Sequence, residues 1–366
     1  MTIFKSGKLR AGLILLLLLV DAALAQDKAE QLAVGSTERS FMVHLPAGYI
    51  STQHYPVVLL FHGRQQDAND MAGITRFNQL ADKYGVIAVY PNAAQGRWNI
   101  GISPPEPANA SSSGGRGGRR GGRGGIGFPG AGGPMGRRGG NGGSGGRGAG
   151  QGRQRQRQRN VAEDDVAFVN GLLDKLSSSY PVDSSRIYVT GLSDGGFMSF
   201  KLGCSLANRI AAIAPVGAEM PKTLTCVPSR VLPVLMINGT ADPVVPYKGG
   251  SGHPDLFATL SAPKSAKQWA AINNCGQKPQ RTTVSPRNKG GKKVEVQIYS
   301  CQQATQVALY SVKGGGNTWP GGQQYLAENQ VGKTSSDLEA NEVIWKFLQS
   351  YRLPASEIKA SVTQSQ

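Results

Sequence analysis

The sequence predicts an α/β domain with a mostly parallel central sheet and helices on both faces. Three observations predict it. Short, continuous apolar runs recur along the chain, such as Pro56-Val57-Val58-Leu59-Leu60-Phe61 and Val86-Ile87-Ala88-Val89-Tyr90, the mark of strands covered on both sides. Stretches with apolar residues three and four apart lie between them, which is the helical period. The two patterns alternate, and strand, helix, strand in that order implies parallel pairs joined by right-handed crossovers.

Taken in order, Ser40-Phe41-Met42-Val43-His44-Leu45 alternates like a half-buried strand after a short polar lead. The run at 56–61 is a buried strand ending in His62-Gly63-Arg64. One helix is expected over 71–84, carried by Met71, Ile74, Phe77, Leu80 and Ala81 and stopped by Gly85. The next strand, 86–90, closes at Pro91-Asn92, and Gln95-Gly96-Arg97-Trp98-Asn99 reads as loop. Glu163-Asp164-Asp165 suit a helix N-terminus, where negative charge meets the positive end of the helix dipole. Val166, Val169, Leu172, Leu173 and Leu176 continue that helix. Further strands are expected at 186–190, 210–216, 235–238, 294–299 and 307–312, with helices at 265–273 and 337–348.

Before this domain, Lys5, Lys8 and Arg10 precede the apolar run at 11–20, and Ala23-Leu24-Ala25 is a small-residue cleavage site. Residues 1–25 therefore read as a secretory signal peptide, too short for a transmembrane span, and 26–366 as one exported domain. Export fits four cysteines, an even number for an oxidising compartment. Of the three connectivities, the sequence-local pairing Cys204–Cys226 and Cys275–Cys301 is preferred, since it closes two short loops. Metal binding is the weaker alternative, because no C-x-x-C spacing occurs.

A formal charge of +17 invites a nucleic-acid reading, but the charge is concentrated. Eleven arginines and no acidic residue fall within 114–160, a Gly/Arg-rich and then Gln/Arg-rich insertion. Such a stretch buries too little apolar surface to offset its ordering entropy, so it is expected to be disordered. Phe128 is its one aromatic, which leaves few platforms for stacking bases. A solvated insertion is the first reading and contact with polyanions the second. An RNA-binding protein ranks last, because it conflicts with the signal peptide.

The chemistry centres on Val189-Thr190-Gly191-Leu192-Ser193-Asp194-Gly195-Gly196. A strand enters this stretch and a helical pattern, Phe197-Met198-Ser199-Phe200-Lys201-Leu202, leaves it. Strand, Gly-x-Ser-x-Gly, helix is the context of a nucleophile elbow, which makes Ser193 the candidate nucleophile. Asp242 follows a later buried strand, in the Ser…Asp…His order of α/β-hydrolases. The turn at His62-Gly63-Arg64 stands where a backbone N–H completes an oxyanion hole with that of Asp194. His62 itself is expected to brace that turn.

Four motifs together resemble secreted esterases of the polyhydroxybutyrate (PHB) depolymerase type, a group that includes feruloyl and acetyl-xylan esterases. They are Leu59-Leu60-Phe61-His62-Gly63, the elbow, Asn238-Gly239-Thr240-Ala241-Asp242-Pro243-Val244-Val245-Pro246-Tyr247, and Gly314-Gly315-Gly316-Asn317-Thr318-Trp319-Pro320-Gly321-Gly322. The resemblance implies an α/β-hydrolase fold, Ser193 as nucleophile and Asp242 as carboxylate. It further implies Arg64 and Asp194 as backbone oxyanion donors, the two local disulfides, and Trp98 and Trp319 as apolar walls beside the nucleophile. It implies neither cofactor nor metal.

One position departs from the family pattern. Asn317 stands where that pattern has His, and all four histidines (His44, His54, His62, His253) precede it. An amide can hydrogen-bond Asp242 but cannot take a proton from Ser193. His253, eleven residues past Asp242, is the candidate substitute base. The expected function is a secreted serine carboxylic-ester hydrolase acting on polyester or on oligomeric or aryl esters, feruloyl and acetyl-xylan esters being the alternative substrate class. The rival is a catalytically weak or inactive binding protein on a hydrolase scaffold.

Overall fold

The computed structural model describes residues 25–102, 165–252 and 256–355. Residues 1–24 of the expected signal peptide, the insertion at 114–160 and His253 lie outside the described residues. Ten strands form one sheet: β1 (Gln26–Val34), β2 (Thr37–Leu45), β3 (Tyr55–Phe61), β4 (Ile87–Pro91), β5 (Val182–Leu192), β6 (Ala212–Val216), β7 (Val234–Gly239), β8 (Gln280–Val284), β9 (Val294–Ser300) and β10 (Gln306–Val312). The helices are α1 (Ala68–Thr75), α2 (Phe77–Tyr84), α3 (Asp165–Ser179), α4 (Asp194–Ser205), α5 (Ala262–Ile272), α6 (Glu328–Val331) and α7 (Ala340–Leu348).

The strand order is β1-β2-β4-β3-β5-β6-β7-β10-β9-β8. The centre, from β4 to β10, is parallel, and antiparallel pairs extend it at both ends. This is the mostly parallel α/β sheet that the alternating pattern predicts. Because side chains alternate across a strand, the run at β3 feeds two cores. Val57, Leu59 and Phe61 join Phe168, Leu172, Phe197, Phe200 and Trp269 from α3, α4 and α5. Val58 and Leu60 join Met71, Phe77, Leu80, Ile344 and Leu348 from α1, α2 and α7. β3 is thus apolar throughout because both of its faces are covered.

Both disulfides are formed, Cys204–Cys226 and Cys275–Cys301. A buried ion pair, Arg39 Nη2 to Asp165 Oδ1 at 2.6 Å, ties β2 to the start of α3. Asp165 Oδ2 also accepts from the Asn99 N–H at 2.6 Å, so this acid is paired on both oxygens. No helix among the described residues is long and apolar enough to cross a membrane.

Three elements differ from expectation. The polar lead is strand β1, paired antiparallel with β2 along its whole length. The single helix expected at 71–84 is two helices, broken at Arg76, which adopts the left-handed conformation (φ 51°, ψ 33°) and caps α1 through its N–H to Ala72 O. Strand β8 at the far edge carries mostly exposed residues and gives no burial pattern to read.

Candidate active site

Four parallel strands, β3, β5, β7 and β10, end in the loops that carry the expected site residues. In open α/β sheets, ligands bind at the carboxyl ends of the strands. Ser193 follows β5 directly and begins α4, with φ 56° and ψ −114°. A side chain held at such angles is strained, and the surrounding contacts must hold it there. The Ser193 N–H donates to Val216 O at 2.9 Å and its carbonyl accepts from Phe197 N at 3.0 Å. Glycines allow the tight crossing: a Cβ on Gly195 would lie 2.0 Å from Phe61 O, and one on Gly191 2.4 Å from Gly195 O.

Asp194 is the first residue of α4, and Ser193 gives that helix no side-chain cap. Its N–H is therefore one of the helix-start amides without an intrahelical acceptor. The Asp194 carboxylate pairs with Arg64 at 3.2 Å, joining the loop after β3 to the elbow. The two residues expected to supply oxyanion donors are thus tied to each other by their side chains. His62 braces the same loop. Its Nδ1 faces Gly63 O at 2.7 Å and its Nε2 accepts from the Ala93 N–H at 3.0 Å, so one nitrogen donates and the other accepts. Burial lowers its pKa and favours the neutral ring.

Asp242 lies beyond β7. Its Oδ1 accepts from the N–H groups of Val244 and Val245, each at 2.8 Å, and its Oδ2 accepts from Asn317 Nδ2 at 2.8 Å. Asn317, on the loop after β10, is 1% exposed, and the same Nδ2 donates to Gly217 O at 3.0 Å. Both amide hydrogens are therefore used. The Tyr325 hydroxyl donates to Asn317 O at 2.9 Å and lies 3.4 Å from its Oδ1, which sets the amide with its nitrogen toward Asp242. Burial raises the Tyr325 pKa, with the nearby charges of Asp242 and Asp194 adding to it.

Among the described residues the histidines are His44, His54 and His62. His54 is exposed, and His44 on β2 is bound to Asp27 and Asp82. None of them faces Asp242 as Asn317 does.

The expected tryptophan walls are corrected by burial. Trp319 is 0% exposed, lies in the core under α1, α2 and α7, and donates Nε1 to Asn341 Oδ1 at 2.8 Å. Trp98 is 7% exposed, packs edge-on against Phe61, and donates Nε1 to His62 O at 2.9 Å. Trp98 supports the turn after β3, and Trp319 is a core residue. Sequence reasoning missed Tyr325, which has no pattern around it, and Glu219. Glu219 did leave a signal, as a lone acid directly after a buried strand.

Burial pushes the Asp242 carboxyl up to about 7, against the pull of the Asn317 amide and the two backbone N–H groups. The folded chain then holds this proton more tightly than the unfolded one. Stability from this group is full below about pH 4 and is lost as pH rises toward about 7, a change on the order of 4 kcal/mol. Asp242→Asn removes the titration. Its melting temperature relative to the starting protein is expected to rise from about pH 4 to about pH 8. A pH-independent difference would contradict the assignment.

The family model described as "Esterase PHB depolymerase" matches residues 39–100. A feruloyl esterase B from Piromyces equi is 36% identical over 164 residues, 42% of this chain and 29% of that protein. A putative esterase, NocK, from Nocardia uniformis subsp. tsuyamanensis is 23% identical over 88% of this chain and 83% of that one. The solved acetyl xylan esterase from Aspergillus awamori aligns at 14% identity and a TM-score of 0.47, covering 80% of this chain and 94% of that one. The match thus spans less than a third of the feruloyl esterase's own length. The family match falls on β2 to β4 and the turn after β3, so over this part the chain is similar to PHB depolymerase-type esterases, and over 42% of its length to a feruloyl esterase.

Proposed function

We propose that the chain is a secreted serine carboxylic-ester hydrolase of low turnover. Ser193 is the nucleophile and Asp242 the active-site carboxylate. The backbone N–H groups of Arg64 and Asp194 stabilise the oxyanion, and Asn317 fills the place of the base. The observation that carries this reading is the 2.8 Å bond from Asn317 Nδ2 to Asp242 Oδ2. It supports an amide that reproduces the donor side of an imidazole and lacks its basic nitrogen. In acylation the Ser193 oxygen bonds the acyl carbon and the alkoxy group leaves, while the serine proton passes to solvent. Oxyanion stabilisation and binding alone retain roughly 10³–10⁴-fold over water.

Aryl and short-chain esters are the proposed substrates, because feruloyl esterases are prominent among the relatives. Polyester oligomers are the second class, from the family description. Secretion follows from the signal-peptide reading and suits the two disulfides. Polyanion contact through 114–160 and a base supplied by His253 remain proposals from the sequence.

Hydrolysis of p-nitrophenyl acetate is expected to be slow and to fall to background in Ser193→Ala. A rate unchanged by that substitution would remove Ser193 from the chemistry. The full use of both Asn317 amide hydrogens favours one second reading, an ester-binding protein without turnover. Binding of methyl ferulate with no hydrolysis would select it.

A further inference from the structure

Glu219 lies just past β6, two residues beyond Gly217, whose carbonyl accepts from Asn317. It is 1% exposed. Its Oε1 accepts from Asn238 Nδ2 at 3.0 Å, and the same nitrogen donates to Ala218 O at 2.9 Å. Glu219 Oε2 and Asn238 Oδ1 are both buried without a hydrogen-bond partner. No lysine or arginine among the described residues pairs with this carboxyl.

A buried carboxylate with one neutral donor and no counter-ion is strongly disfavoured against its neutral acid. The titratable groups that face Glu219 are Asp242, whose charge disfavours a second one, and Tyr247, whose hydroxyl is taken up by Ser311 at 2.7 Å. Two carboxyls sharing a dry site ionise one at a time. Burial of Glu219, followed by the nearby Asp242, pushes its pKa well above the ordinary carboxylate range. Protonation turns one of the Glu219 oxygens from an acceptor into a donor, in a pair where Oε2 and Asn238 Oδ1 are both buried acceptors without a partner.

We propose that Glu219 is a positioning residue for Asp242: it stays a neutral carboxylic acid, so the single negative charge of the buried cluster sits on Asp242 and holds Asn317. This rests on reading Asp242 as the active-site carboxylate. Ionising both carboxyls would set two like charges against one Asn317 bond and loosen the loop after β10.

Infrared difference spectroscopy of the full chain at about pH 8.5, above the titration of Asp242, tests this. The carboxylic-acid C=O band is expected in the starting protein, absent in Glu219→Gln and present in Asp242→Asn. A band that survives Glu219→Gln, or no band in the starting protein, overturns the proposal. Should Glu219→Gln fail to fold, glutamate 13C-labelled at its carboxyl gives the same assignment by NMR in the unsubstituted chain. One carboxyl resonance is then expected to remain in its protonated position at about pH 8.5, and its absence overturns the proposal.

Positioning is read from Ser193 labelling by a fluorophosphonate across pH. In the starting protein labelling is expected to decline at high pH, where both carboxyls ionise and the loop after β10 loosens; Glu219→Gln is expected not to show that decline. A decline unchanged by the substitution contradicts the role. The infrared band requires no turnover, so failure of the esterase reading would leave it intact, and failure of the band would leave Ser193 labelling intact.

Discussion

Asn317→His is expected to raise p-nitrophenyl acetate turnover by roughly 10²–10⁴-fold, the usual contribution of one positioned general acid–base group. Asp242 Oδ2 already accepts a 2.8 Å bond from Asn317 Nδ2, the bond an imidazole Nδ1–H would make. Gly217 presents no side chain to position 317, where even a Cβ would stand 3.0 Å from Asn317 Nδ2. The backbone clamp from the Tyr325 hydroxyl to Asn317 O does not depend on the side chain at 317. The substituted ring would take the Ser193 proton in acylation and return it to the leaving alkoxide. No gain in kcat would mean that the amide does not occupy the base's place.

Among the described glycines, Gly195→Ala is expected to be the most damaging added methyl. Its Cβ would lie 2.0 Å from Phe61 O and 2.8 Å from His62 O, both backbone atoms of β3 and the turn that follows. Neither atom can swing aside as a side chain would. Relief requires moving the elbow away from β3, which breaks packing on both faces of the sheet. Overpacking of this kind costs about 3 kcal/mol or more, lowering Tm by roughly 6–12 °C for a domain of this size. Gly73 in α1 is the control, since a Cβ there meets nothing within 4 Å. Gly73→Ala is expected to be neutral or stabilising by about 0.5–1 kcal/mol in the same thermal melt. Equal effects at the two positions would contradict the steric account of the elbow.

What was legible in the sequence follows from burial. β3 and β4 could be read because strands covered on both faces are apolar without interruption. The elbow could be read because close backbone crossing admits only glycine at 191 and 195. β1 could not, since most of its side chains face solvent and backbone pairing with β2 leaves no hydrophobic pattern. The break between α1 and α2 was hidden because an arginine, and not a glycine, takes the left-handed position at 76. Trp319 misled for a related reason. A motif places a residue next to the site along the chain, but which side of the sheet its ring enters is decided by tertiary packing. Tyr325 reaches Asn317 from another loop, and Glu219 bonds Asn238 at the end of β7, the strand that leads to Asp242, so only folding brings them together.

The central claim is that Ser193 is a placed nucleophile whose base position is held by Asn317. Mass spectrometry of the chain after reaction with a fluorophosphonate tests it most directly. One covalent adduct is predicted, mapped to the peptide containing Ser193, forming slowly in the starting protein and far faster in Asn317→His. An adduct on another residue, or no adduct at Ser193 in either protein, would contradict it.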